Sequence, residues 1–157
     1  CHAQADVAFA TGHSSPSESL LMAQASHDMG FKKCIITHPN TLIWRMTPSQ
    51  LEKAASLGAW IEFCYLGRFW GEDSAMPDYP RQSLQEATAI LRVAPERTFI
   101  TTDLGQVGMP RPVEGMRLAR NELLKAGFDS SSLRSMLCSV PSYLIGLDKH
   151  MPCRLYG

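Results

Sequence analysis

Four polar residues stand where apolar runs stop. "FITTDLGQ" (Phe99–Gln106) leads straight into Asp103, "AFATGH" reaches His13, "CIITHP" reaches His38, and "AWIEFCYL" carries Glu62. Each run has the composition of a short buried strand. In parallel α/β folds the carboxyl ends of the strands are where ligands bind. Two imidazoles and a carboxylate gathered on that edge form the donor set of a divalent metal site, zinc for preference, with one ion or two. Such a metal would bring the pKa of a bound water to about 7 and make a hydroxide nucleophile. Asp103 would then act as the base that takes the proton.

Each residue also has a plainer reading. A histidine after a strand is commonly a loop residue satisfied by backbone. His38 precedes Pro39 and would shape a turn. Asp103 would start a turn, as aspartate often does. Glu62 would face the helices or pair with a lysine. The functional reading gains because all four fall on one edge of one expected sheet. His27 sits mid-helix among polar neighbours, and His2 and His150 lie near the ends of the sequence, so none carries a site signal. Ser14, Ser15 and Ser17 are explained by helix capping rather than by nucleophilic catalysis. No GxSxG elbow, P-loop or GxGxxG is present.

The elements that must position these residues alternate. "DVAFA" (Asp6–Ala10), Lys32–Pro39, Ala59–Leu66 and "RTFITTD" (Arg97–Asp103) read as strands. Between the first two, Ser15, Pro16 and Glu18 make a capped helix start and Gly30 a helix stop. Thr47, Pro48, Gln50 and Gly58 repeat the pattern after the second strand. Leu84, Ala87, Leu91 and Ala94 recur at helical spacing, as do Val113, Met116, Ala119 and Leu123 ahead of Gly127. "SSSLRSMLCS" and "PSYLIGL" read as two short terminal helices broken at Pro141. Strand starts near residues 6, 33, 59 and 97 have the spacing of βα units, and the apolar strands suit a parallel sheet. The long loop from Gly67 to Gln82 holds Phe69, Trp70, Asp73 and Tyr79. These either shape specificity or pack the loop down.

Composition narrows the classes. With 157 residues, 45% hydrophobic and 19% charged at zero formal net charge, the chain has the make-up of one globular domain. It lacks the basic stripe expected of a nucleic-acid binder, an apolar run of the roughly 18 residues a membrane span needs, and signal-peptide character at its start. Cys1, Cys34, Cys64, Cys138 and Cys153 are odd in number and scattered, which points neither to a disulfide framework nor to a CxxC zinc site. Cys34 and Cys64 read as core residues, and a reducing, cytoplasmic setting is expected.

The motifs "ATGHSSPSES", "IITHPN", "TTDLGQVGMPRPVEG" and "VPSYLIGL" together resemble the C-terminal half of the amidohydrolase superfamily of metal-dependent (β/α)8-barrel hydrolases. Within it, the chain is most similar to an uncharacterised family with a TGH…THP…TDLGQ pattern. The resemblance spans about Ala8 to Leu147, and TDLGQ is its most specific part. It implies an α/β fold of about four βα units, strands five to eight of a TIM barrel. His13 and His38 would be metal ligands of strands five and six, and Asp103 the strand-eight aspartate that contacts metal and shuttles the proton. Glu62 matches no ligand of the superfamily and is carried as a substrate or supporting residue. Gln106 and Arg111 would line the mouth of the site. Val140 departs from the asparagine usual in the family's ending. The HxH ligands of strand one and the lysine or acid of strand four have no counterpart here.

A full barrel takes about 250 residues. Residues 1–157 are therefore expected to be a single partial barrel domain, a fragment that partners the missing N-terminal half barrel or another subunit. The expected activity is metal-dependent hydrolysis of an amide, lactone or ester bond in a small-molecule substrate. The alternative is a non-catalytic α/β module that binds a small molecule. A third reading is a self-contained open sheet of flavodoxin-like type.

Overall fold

The computed structural model describes residues 6–147. Cys1, His2, His150 and Cys153 lie outside the described residues. Four strands, β1 (Phe9–Ala10), β2 (Cys34–Ile36), β3 (Trp60–Cys64) and β4 (Thr98–Thr101), pair in the order β1-β2-β3-β4, and every pairing is parallel. The helices between them are α1 (Pro16–Asp28), α2 (Pro48–Ser56) and α3 (Leu84–Leu91). After β4 come α4 (Pro112–Lys125), α5 (Ser130–Arg134) and α6 (Val140–Leu144). The protein is thus a mixed α/β fold on a four-stranded parallel sheet. A doubly wound sheet reverses its strand order at a switch point. The described strands follow chain order without reversal, so the flavodoxin-like reading does not match them.

The helices begin where side chains satisfy the first free amides. Ser15 caps α1 and Glu18 returns a bond to the Ser15 amide at 2.8 Å. Thr47 and Gln50 do the same for α2, and Ser83 and Glu86 for α3. Each cap is worth about 1 kcal/mol. The strands are shorter than their apolar runs suggest. β2 stops at Ile36, and the run after Cys64 turns into a 3₁₀ segment at Tyr65–Arg68. The backbone leaves the ladder because His38 and Asp103 take positive φ, 34° and 52°.

Side chains alternate across a strand, which sorts the core into two faces. Cys34, Ile36 and Ile61 pack with Ala23 of α1 and Leu51 and Ala54 of α2. Phe63 and Ile100 pack with Ala87 and Leu91 of α3, Ala119 and Leu123 of α4, and Leu133 of α5. Helices α1 to α4 therefore all cover one face. On the opposite face Phe99, Ile35 and Trp60 meet Val140 and Leu144 of α6. Trp60 and Tyr143 lie ring to ring at 5.6 Å, with Arg97 over Trp60 and Lys33 over Tyr143. Lys33 is buried and pairs with Asp6 at 2.6 Å. Two cations on two rings thus hold α6 beneath the amino ends of the strands.

Pro141 does not break the chain into two helices, contrary to expectation. A π-helical segment, Ser135–Ser139, joins α5 to α6 and carries the helix from one face of the sheet to the other. Pro141 falls just past the π segment, whose wider turn accommodates its missing N–H. Val113 also departs from expectation: it is 57% exposed, because the first turn of α4 buries Gly115 instead. An added Cβ at Gly115 would lie 2.1 Å from Leu104 Cδ1, so Leu104 would have to move to admit one. Cys34 and Cys64 are buried free thiols, as expected, whereas Cys138 is disulfide-bonded, which the cysteine spacing did not indicate. Among the described residues no helix is long and apolar enough to cross a membrane.

Leu133 is fully buried where α5 meets α3, α4 and the sheet. Leu133→Ala is expected to lower unfolding free energy by about 2–5 kcal/mol. Leu21→Ala, at a position 70% exposed on α1, should change it by less than about 0.5 kcal/mol. Denaturant unfolding of the two variants checks the contrast.

Candidate functional site

Three of the sequence-expected residues converge at the carboxyl edge of the sheet. The rings of His13 and His38 lie 4.6 Å apart between centroids, and Trp44 stands edge-on to His13 at 6.0 Å. Asp103 follows β4 on the same edge. His13 follows Gly12, whose positive φ of 65° turns the chain out of β1. The turn is pinned by a reciprocal pair: the Gly12 amide donates to Thr37 Oγ1 and the Thr37 amide to Thr11 Oγ1, both at 3.1 Å.

His38 and Asp103 share a further property. Among the described residues they are the only non-glycine positions with positive φ. Such conformations cost about 1–3 kcal/mol and persist only where surrounding structure enforces them. His38 is 7% exposed, and its Nδ1 is buried without a hydrogen-bond partner among the described residues. Burial, followed by the neighbouring His13 charge, pushes its pKa below the ordinary 6.5. A neutral imidazole with a free ring nitrogen is the form that binds a metal.

Glu62 sits on the face of β3 turned toward this cluster. It accepts from Thr101 Oγ1 at 3.0 Å, and the His38 amide also bears on its carboxylate. Burial raises its pKa above the ordinary 4.5, and the Asp103 charge adds to the rise. Cys64, on the same face, is pushed up to about 12, chiefly by burial. It remains an inert thiol rather than a ligand or nucleophile.

Gln106 works within its own loop. Its Nε2 donates to the Asp103 carbonyl at 2.9 Å, and its Oε1 accepts from the Gly105 amide at 3.1 Å. Arg111 stands just before α4, and its amide donates to Glu114 at 3.2 Å. Its exposed guanidinium pairs with none of the site carboxylates. The long loop packs down: Trp70 is 4% exposed, lies 4.9 Å from Tyr79, and joins Cys64, Leu66, Met76, Leu104 and Met109 in one cluster. Leu104 therefore ties the Asp103 turn to that loop and to α4. Arg68 bridges the loop to α4 through Glu122, which also accepts from Tyr65 Oη at 2.7 Å.

Sequence reasoning passed over Asn40. It is buried, and its side chain pairs with Cys64 of β3 in both directions, Nδ2 to the carbonyl at 2.8 Å and the Cys64 amide to Oδ1 at 2.9 Å. The only trace in the sequence is an asparagine after "THP", which reads equally well as an ordinary turn residue.

The donor set fits a metal in part. Two neighbouring imidazoles, one with an unpartnered nitrogen, and a nearby carboxylate are the right chemistry. Among the described residues, however, no three His, Cys, Asp or Glu side chains stand close enough to hold an ion by themselves.

Residues 1–62 match a family of unknown function, DUF6282. That stretch contains His13, His38 and Asn40 and ends at Glu62. No curated protein and no solved structure matches the chain.

The raised pKa of Glu62 has a consequence for stability. A group that holds its proton more tightly when folded stabilises the fold fully below its unfolded value, here 4.5, and loses that contribution as pH rises through the folded value. Glu62→Gln, which keeps the neutral form at every pH, should abolish this loss. The difference in unfolding free energy between wild type and Glu62→Gln should therefore move against wild type as pH rises from 4.5, then level off. Urea unfolding across pH 4–8 reads it directly.

Proposed function

We propose that the chain supplies one half of the active site of a metal-dependent hydrolase of amidohydrolase type, acting on an amide, lactone or ester bond of a small molecule. The observation that carries the reading is the ring-to-ring pair of His13 and His38 on the sheet edge that Asp103 also ends, with His38 and Asp103 both held in positive φ. Sequential parallel strands with α1 to α4 on one face support the finer view that the fold is half of a TIM barrel. The other face carries the candidate site above and is floored by α6 below.

His13, His38 and Asp103 would hold the metal, zinc in the first instance, as one ion or two. When bound, the ion supplies an acidified water at neutral pH. Asp103 takes the proton of the attacking water and delivers it to the leaving group. Glu62, fixed by Thr101, lines the same face and keeps the His38 turn in register. Gln106 braces the Asp103 turn from its carbonyl side.

The remaining ligands would come from the partner, an N-terminal half barrel or another subunit. The exposed edge supports this: Val7 is 45% and Phe9 40% exposed beside a hollow of about 380 Å³. The hollow is lined by Val7, Ala8 and Phe9, by Met22 and Ala25 of α1 and by Met29 just past it, so it is almost wholly apolar. Among the described residues β1 is an edge strand, and such an edge invites pairing. A cytoplasmic setting rests on the free thiols of Cys34 and Cys64 and stands against the disulfide at Cys138.

The alternative is a small-molecule-binding module without catalysis, favoured by the lack of a complete metal cluster among the described residues. Elemental analysis paired with an ester, lactone and amide hydrolysis screen separates the two. In a metal-loaded, active preparation, Asp103→Asn should lower kcat by about 10²–10⁴-fold, and His13→Ala should reduce bound metal. A folded protein that takes up no zinc, with or without its partner, leaves the binding module as the reading.

A further inference from the structure

We propose that Asn40 is a positioning residue whose buried carboxamide anchors the turn carrying His38 against His13. Its role at a metal site rests on the hydrolase reading above, but its role in placing His38 does not.

The β2–β3 ladder ends at the Ile36–Ile61 pair. Beyond it the backbone of residues 37–39 swings out of the sheet, with His38 at φ 34°. The chain is then caught again by a side chain. The Asn40 carboxamide donates to the Cys64 carbonyl and accepts from the Cys64 amide at 2.8 and 2.9 Å, the paired exchange a backbone peptide would make. Gln82 closes over it, with Nε2 to the Asn40 carbonyl and Asn40 Nδ2 to Oε1, both at 3.4 Å. Asn40 and Gln82 are 2% and 7% exposed. Inside a protein, a paired carboxamide of this kind is costly to disturb.

The rest of the turn hangs from this anchor. The Thr41 amide and hydroxyl both donate to the His38 carbonyl at 3.2 Å, and the Met46 amide donates to the Pro39 carbonyl at 2.9 Å. His38 is therefore pinned from its carbonyl side, while its Nδ1 has no partner among the described residues. The arrangement spends a buried polar network on fixing a backbone and leaves a buried ring nitrogen free. That is the pattern of a supporting residue behind a ligand.

The test is Asn40→Asp, which keeps the acceptor and removes the donor. Long-range proton–nitrogen spectra of the histidine rings are recorded on chelator-treated wild type and variant, and both are titrated with zinc. The His38 ring signals are expected to move or broaden, while those of His27, bonded to the Leu57 carbonyl on α1's far side, stay in place. Zinc affinity is expected to fall about tenfold or more. Gln82→Ala removes the looser partner and should shift His38 in the same direction by less; it serves if Asn40→Asp does not fold. Leu123→Ala, a core variant in α4, controls for general loosening and should leave the His38 signals unmoved. Unchanged His38 signals in Asn40→Asp, or in Gln82→Ala where Asn40→Asp is unfolded, overturn the proposal. An equal shift in Leu123→Ala does the same. His38 signals that move in a protein whose wild type takes up no zinc, with its partner as well as without it, uphold the positioning role and overturn the metal reading.

Discussion

The candidate site depends on one constraint: two residues with side chains must stay in a backbone region that L-residues avoid. His38 follows β2 and Asp103 follows β4, on either side of β3, with φ of 34° and 52°. Glycine would enter that region freely, as Gly12 does at the end of β1. A histidine and an aspartate enter it only under load. On the His38 side the load is borne by Asn40, Thr41 and Gln82. On the Asp103 side it is borne by Gln106 at the carbonyl and by Leu104, wedged against Gly115. Two independent sets of contacts accompany the same unusual geometry at these two candidate residues.

The division of the sheet into two unlike faces follows from this placement. The helix-covered face is apolar along its length and supplies most of the burial energy. The other face is apolar only at its lower end, where α6 seals it. Higher up it carries Glu62 and Thr101, bonded to each other, and then the histidine pair and Asp103. A π-helical stretch lets one helix serve both faces, since Leu133 and Met136 pack on one side and Val140 and Leu144 on the other. Wide turns of this kind accommodate a residue that does not fit an α-helical ladder, and Pro141 follows directly after.

The electrostatics reinforce the geometry. Burial and a neighbouring imidazole lower the His38 pKa, while burial, with a smaller contribution from the Asp103 charge, raises that of Glu62. Groups of opposite type, pushed in opposite directions at one edge of a sheet, are a recurring feature of functional sites. Cys64, pushed to about 12, is the converse case: a polar atom on the same face that burial has made inert.

By itself the sequence determined the alternation of strands and helices, because apolar runs and capping residues act within a few positions of one another. Ser15 with Glu18 and Thr47 with Gln50 are legible for that reason, and so are His13, His38 and Asp103 just past β1, β2 and β4, whereas Glu62 lies within β3 rather than at its end. What lies far apart in the chain was decided only by the tertiary structure. Asn40 meets Cys64 across 24 residues and Gln82 across 42, and no local pattern announces either contact. The passage of α5–α6 from one face to the other was likewise hidden, since a proline reads as a helix breaker until the π turn before it is seen. Local propensity can name the residues that might do chemistry. Only packing over long separations can hold a histidine and an aspartate in strained turns, and that is what brings them together here.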